Sequence, residues 1–268
     1  MPKEYKQQII DFFDRRTAYD AEGDSHPQEA QRLLNYVAID RGQTILDIAT
    51  GTGLIAISAA KKVFPNGSVI GVDISSGMLA QAKEKIAAQN INNLELIEAD
   101  IESIEFAIKQ FDIIFCCSAL VYIGDIPAVI DLCYQWLKPG GCFAFTTPDK
   151  TSHLADIRVE VCKDLFDLDL PHIIRPLWTL EKCRHLLQQS GFKNIEIKTY
   201  QYSQSKINQN YESVRIEREF YPRGNPLKNL SEAQKEQLQA AYKQAVEKLI
   251  SKRGIWGENN NLFVRAYK

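Results

Sequence analysis

Leu46-Asp47-Ile48-Ala49-Thr50-Gly51-Thr52-Gly53 is the stretch on which the fold of this 268-residue chain turns. Thr44 to Ala49 is a short run of apolar and β-branched residues that ends at the glycines. Such a run reads as a buried strand entering a turn. Leu54 to Val63 follows as a helix, stopped by Pro65-Asn66-Gly67. Glycine allows the tight turn and lets a ligand approach the backbone with no Cβ in the way. The helix start adds N–H groups that lack intrahelical partners. Strand, glycine turn and helix together form a cradle.

The same alternation continues downstream. Ser68 to Asp73 reads as a second strand. Met78 to Ala88 reads as a helix with Leu79, Ala82 and Ile86 on one face and Ser75 or Ser76 as N-cap. Leu94 to Ile97, Phe111 to Cys117 and Cys142 to Thr146 give three more strands. A helix from Pro127 to Leu137 lies between the last two, ended by a turn at Lys138-Pro139-Gly140-Gly141. Connections this short imply right-handed crossovers and a parallel sheet covered on both faces.

Beyond Thr147 the rhythm changes. A mixed segment over 148–178 reads as a cap, Thr179 to Gln189 as a helix, and Asn194 to Tyr202 as a strand. An insertion over 203–260 follows, with a capping box at Ser231 to Gln234. Its helix carries Leu238, Ala241, Tyr242, Ala245 and Leu249 along one face. Asn261 to Tyr267 is the final strand. The expected organisation is one domain over 1–268: an N-terminal lid over 1–30, a ligand-binding core over 31–147, the cap, and the insertion as a pocket wall.

Composition narrows the function. The chain is 45% hydrophobic and 25% charged with a net charge of -2, which leaves no electrostatic footprint for nucleic acid or an anionic membrane. The near-apolar run Ile113 to Ile123 is too short to span a bilayer. The N-terminus has no secretory pattern, so a cytoplasmic protein is expected. Six cysteines include no C-x-x-C pair, and no His or carboxylate set has metal-ligand spacing, so no metal is expected. Oligomeric state is not legible.

The glycine turn also satisfies a loose dinucleotide fingerprint, Gly51-x-Gly53-x-x-Ala56 with Asp73 twenty residues beyond Gly53 as a ribose acid. An NAD(P)-dependent oxidoreductase and a non-catalytic binding protein on the same fold are therefore rival readings. Against the first stand Asp47 inside the strand end, Asp100 after the third strand beside apolar Ile101, and the Lys-Pro-Gly-Gly turn.

In order, D-I-A-T-G-T-G, V-I-G-V-D-I-S, E-A-D-I, F-D-I-I-F and L-K-P-G-G resemble class I S-adenosylmethionine-dependent methyltransferases. The likeness covers Ile45 to Thr147 and is closest to the small-molecule group that includes ubiquinone and menaquinone C-methyltransferases. It implies a Rossmann-like α/β fold, a seven-stranded mostly parallel sheet whose antiparallel last strand inserts between the fifth and sixth. It implies S-adenosylmethionine as cofactor and a small organic molecule as methyl acceptor, through O, N or C. By the same resemblance Asp47 meets the cofactor near its amino-acid portion, Thr50, Gly51 and Gly53 bind the cofactor at the turn, Asp73 holds the ribose, and Asp100 meets the adenine amino group. Ile74 and Ile101 sandwich the adenine with Met78 nearby, and Tyr19 folds over from the N-terminal segment. Ser118 lies just past the fourth strand, at the sheet edge where open α/β folds bind ligands. For proton removal the candidates are His153, past the fifth strand, and His26, in the N-terminal segment.

Overall fold

In a computed structural model of the chain, which describes residues 3–205, 220–222, 224–253 and 257–268, the strand entering the glycine turn lies third in a seven-stranded sheet. The strands are β1 (Thr44–Ile48), β2 (Ser68–Asp73), β3 (Leu94–Glu98), β4 (Phe111–Cys116), β5 (Leu137–Pro148), β6 (Lys193–Ser205) and β7 (Gly257–Tyr267), in the order β3-β2-β1-β4-β5-β7-β6. The first five are parallel; β7 runs antiparallel between β5 and β6. The strand order reverses between β1 and β4, and the crevice at their carboxyl ends is where such sheets bind ligands.

Eight helices complete the described chain: α1 (Lys3–Asp14), α2 (Ser25–Tyr36), α3 (Leu54–Val63), α4 (Ser76–Ala88), α5 (Ile126–Trp136), α6 (Ala155–Phe166), α7 (Leu180–Gln189) and α8 (Glu232–Arg253). Neighbouring side chains of β1 serve opposite faces. Ile45 packs with Leu33 of α2 and Ala59 of α3, while Leu46 packs in the core that contains Ile130 of α5 and Leu187 of α7. Burial on both faces explains why Ile45, Leu46 and Ile48 are all apolar rather than alternating with polar residues, Asp47 being the exception.

The two expected caps form, and Thr179 adds a third. Ser75 Oγ accepts the Met78 N–H at 3.1 Å, and Thr179 Oγ1 accepts the Lys182 N–H at 3.3 Å. Ser231 and Gln234 bond reciprocally as a capping box at 3.3 and 2.9 Å. The expected turn at Lys138-Pro139-Gly140-Gly141 lies instead within β5. Leu137 pairs with Phe111 and Cys142 with Ile113, so the four residues bulge out of the ladder, with Gly140 at φ +79°.

Of the expected insertion, residues 206–219, 223 and 254–256 lie outside the described residues. Its helix α8 packs against α6: Leu238 joins Cys162 and Leu170 in a third core, and the Arg158 guanidinium lies 4.9 Å from the Tyr242 ring centre. Of the face read from the spacing, Leu238 and Tyr242 are buried and Ala241 and Ala245 half-buried, while the Leu249 side chain lies outside the described residues. No described helix is long and apolar enough to cross a membrane.

Candidate functional site

The turn after β1 is left-handed where it needs glycine. Gly51 has φ +55° and Gly53 φ +81°. A Cβ on Gly51 would meet nothing within 4 Å, so this backbone faces open space, whereas one on Gly53 would come within 3.0 Å of Ile57 Cδ1. Two carboxyls brace the turn. Asp47 Oδ2 accepts the Thr50 hydroxyl at 2.6 Å and the Ala56 N–H at 3.2 Å, which caps the start of α3. Asp73 accepts the Gly51 N–H at 2.7 Å on one oxygen and the Ser75 N–H at 2.9 Å on the other. Asp47 is 1% exposed, and burial, with Asp73 adding, pushes its carboxyl up to about 7. Burial also raises Asp73, against those backbone N–H bonds.

Above the turn lies a cavity of about 160 Å³, counted as space open to the centres of water molecules. Of the cofactor residues expected from the sequence, Tyr19, Asp47, Thr50, Gly51, Asp73, Ile74, Met78, Asp100, Ile101 and Ser118 all line it. Gly53 sits behind the wall as the N-cap of α3. His26 lines the cavity too. His153 is in a short helical turn, Ser152–Leu154, and its side chain lies outside the described residues.

The roof comes from the N-terminal segment. Lys6 of α1 pairs with Asp100 and lies 3.3 Å from Glu102. Asp14 Oδ1 accepts the Ser75 hydroxyl at 2.6 Å and the Gly77 N–H at 2.9 Å. The Tyr5 hydroxyl donates to the Tyr122 carbonyl at 3.1 Å. Asp20 takes Lys85, which also donates to the Thr52 carbonyl at 2.8 Å. Sequence reasoning missed Lys6, Asp14, Phe13 and Tyr122 because nothing local marks them; their partners are distant in the chain. Among the described residues, none from 148–178 or 203–260 lines this cavity. Phe220 packs edge-on against the rings of Tyr5, Phe12 and Tyr122 at 6.4, 5.1 and 5.7 Å.

One end of the cavity is aromatic. Phe13, Tyr19, His26 and Tyr122 line it, and Tyr19 stacks on His26 at 4.7 Å and 21°. The Arg16 guanidinium lies 4.3 Å from the Tyr19 ring centre and pairs with Glu22. Burial, then Arg16, holds the His26 imidazole below its ordinary value and therefore neutral at pH 7. Ser118 has φ +54°, and its N–H donates to Thr146 Oγ1 at 2.8 Å. Behind it Glu29 of α2 is 4% exposed, and among the described residues its Oε1 has no hydrogen-bond partner. Burial raises the Glu29 carboxyl, opposed by Ser118, Thr146 and Asn261.

These residues fit S-adenosylmethionine. Asp73 retains lone pairs beyond the two N–H bonds and can accept ribose hydroxyls. Ile74, Met78 and Ile101 give an apolar slot beside Asp100 for adenine, and the open backbone at Gly51 leaves room for the amino-acid portion. Among the described residues no group of three or more His, Cys, Asp or Glu could hold a metal ion.

Comparison with known proteins agrees with this geometry. A family model described as a methyltransferase domain matches residues 39–174, half of the chain. An aklanonic acid methyltransferase from a Streptomyces species is 30% identical over 146 residues, covering 54% of this chain and 66% of that protein. A demethylmenaquinone methyltransferase from Lactobacillus johnsonii is 28% identical over 182 residues, covering 62% of this chain and 75% of that one. The aligned stretch spans 66% of the aklanonic acid methyltransferase and 40% of a Halobacterium salinarum arsenite methyltransferase, less than two thirds of either. In fold, the chain resembles a Haemonchus contortus phosphoethanolamine N-methyltransferase in complex with S-adenosyl-L-methionine, with TM-score 0.60 and 21% identity over 97% of this chain and 60% of that one. With a sheet of this order, a glycine turn braced by two buried acids and a family match over half its length, the chain belongs to the S-adenosylmethionine-dependent methyltransferase family.

Proposed function

We propose that the chain transfers the methyl group of S-adenosylmethionine to a small organic acceptor, through an O, N or C atom. The observation that carries this reading is the Asp73 carboxyl set at the cavity wall against the open Gly51 backbone. The bound cofactor supplies an electrophilic methyl on a sulfonium. The residues of the chain orient the acceptor, exclude water and receive a proton where the acceptor must lose one. Asp47, Thr50 and Gly51 hold the amino-acid end, Asp73 the ribose, and Ile74, Met78, Asp100 and Ile101 the adenine. Phe13, Tyr19 and Tyr122 seat an acceptor with a flat or apolar face.

Of the two candidate bases, we assign His26 to the acceptor end, since it is in the wall and its imidazole is neutral, hence able to accept a proton. His153 remains a candidate from its place after β5. We read residues 1–30 as the lid over the cofactor, with 148–178 and 203–260 as outer parts of the enclosure. The net charge of -2 supports a small molecule over nucleic acid as acceptor. Six free cysteines, five of them buried, support a reducing, cytoplasmic setting.

Calorimetric titration of the purified protein with S-adenosylhomocysteine and, separately, with NAD tests the reading. Micromolar binding of the first and none of the second is expected. NAD binding without S-adenosylhomocysteine binding would overturn it in favour of an oxidoreductase. Mass spectrometry of molecules that co-purify then identifies the acceptor.

A further inference from the structure

Glu29 lies on α2, one turn from His26, and none of the roles above uses it. It is 4% exposed and among the described residues its Oε1 is unmatched. Buried carboxyls of this kind weaken a fold, and an apolar side chain of similar size would pack there better. Its surroundings are neutral. Ser118 and the Cys117 thiol come from the loop after β4, Thr146 from β5 and Asn261 from β7, with the Tyr19 phenol ahead of α2. Burial pushes both the thiol and the phenol up, so neither carries charge at pH 7. Arg16, the cation on the Tyr19 ring, is already paired with Glu22.

Ser118, which lowers the Glu29 carboxyl by a side-chain hydrogen bond, lines the cavity, as do His26 and Ala30 of α2, so this carboxyl stands one side chain behind the wall. It differs from Asp47, tied to the Ala56 N–H of α3, and from Asp73, tied to the Gly51 and Ser75 N–H groups. Among the described residues, the side chains that hold Glu29 are the neutral Ser118, Thr146 and Asn261.

We propose that Glu29 is the counter-charge for an onium cation bound in the cavity, and so determines whether the site prefers the charged or the neutral form of its ligands. The proposal rests on the methyl-transfer reading, in which one nucleoside carries a sulfonium and its product a neutral thioether. Without a cation beside it, burial favours the protonated carboxyl. A positive charge at the wall favours the ionised form, so a cation binds with release of a proton and a neutral ligand does not. The same chemistry suits the sulfonium of the cofactor or the ammonium of an amine acceptor.

The test is calorimetry in two buffers of different ionisation enthalpy, which counts protons released on binding. The probes are S-adenosylmethionine, S-adenosylhomocysteine, and ethylamine added to the S-adenosylhomocysteine complex. More protons released by S-adenosylmethionine than by S-adenosylhomocysteine places the cation on the cofactor. Ethylamine binding with proton release places it on the acceptor. In Glu29→Gln, which preserves shape, affinity for the cationic probe should fall about tenfold, equivalent to one unit of carboxyl shift. S-adenosylhomocysteine affinity should stay within about twofold, and the excess proton release should vanish. Equal proton release by the two nucleosides, together with no ethylamine binding, overturns the proposal from the wild-type protein alone. Equal weakening of both nucleosides in Glu29→Gln overturns it as well. If neither nucleoside binds the wild type, the methyl-transfer reading itself has failed. If both bind with no dependence on Glu29, only the counter-charge role is lost.

Discussion

Asp73→Ala should damage two things that a purely ligand-binding carboxylate would keep separate. The Asp73 carboxyl accepts the Gly51 N–H at 2.7 Å and the Ser75 N–H at 2.9 Å, so its removal strands two donors at the turn. Hydrogen bonds to a charged group are worth about 1.5–3 kcal/mol each. Water from the adjoining cavity can replace part of this, and removing a carboxyl that burial disfavours returns some more. A net loss of roughly 2 kcal/mol remains, which for a chain of this size lowers Tm by about 4–8 °C. Losing the ribose contacts should weaken S-adenosylhomocysteine binding at least about tenfold, or 1.4 kcal/mol. Differential scanning fluorimetry of the ligand-free protein reads the first effect and isothermal titration the second. Asp73→Asn sharpens the comparison: one oxygen still accepts a backbone N–H, while the new amide turns a donor towards the other. A lowered Tm with an unchanged dissociation constant would refute the ribose role and leave Asp73 as a brace for the turn.

Asp47→Asn should flatten the pH dependence of stability. Its folded-state value is raised from 3.8 to about 7, so the folded protein binds the extra proton and stability falls as pH rises across that window. The lift corresponds to roughly 4 kcal/mol; urea melts at pH 5 and pH 8 should differ less in the variant, and an unchanged difference counts against a titrating Asp47. Gly53→Ala places a side chain at φ +81° within 3.0 Å of Ile57 Cδ1, and should cost about 1–3 kcal/mol in chemical denaturation; wild-type stability would show that the turn relaxes freely. Lys6→Ala should raise hydrogen exchange over residues 3–14 by severalfold, since the lost ion pairs are partly exposed and worth up to about 1 kcal/mol; equal protection would show that α1 is held by packing alone. His26→Gln should lower turnover on an identified acceptor by about 10²–10⁴ with cofactor affinity kept, whereas a loss under about threefold removes it as base.

The parts of the fold legible in sequence are those whose signal is local. Ser68 to Asp73 and Leu54 to Val63 form the elements read from their apolar spacing and flanking turn residues, with the same bounds. Strand ends shift by a few residues, as at Phe111–Cys116, because ladder pairing with neighbours rather than composition sets where a strand stops. The Lys-Pro-Gly-Gly segment carries every mark of a turn, yet β5 pairs with β4 on both sides of it. At the site, the glycines and Asp73 were legible because chemistry and spacing coincide in one short stretch. The bracing role of Asp73, which accepts the Gly51 and Ser75 N–H groups, was not, since a carboxylate in sequence has no visible partner. Lys6 meets Asp100 across 94 positions, and Glu29 sits inside an amphipathic helix where a lone acid resembles any solvated residue. Those pairings exist only after the sheet brings its carboxyl edge under α1 and α2.

Helix α1 is fastened at separate points across the cavity rim. Lys6 is held by Asp100 and Glu102, Tyr5 by the Tyr122 carbonyl, and Asp14 by the start of α4. If a nucleoside enters at this rim it should have to undo at least one of these contacts first, and opening rather than diffusion should then limit association. The Lys6 end is ionic and partly exposed, and added salt weakens it. Capture of the nucleoside should therefore quicken with ionic strength, the reverse of what charge steering produces. The same fastening, restored after entry, should lengthen the residence time of S-adenosylhomocysteine, which a faster dissociation from Lys6→Ala than from the wild type would show.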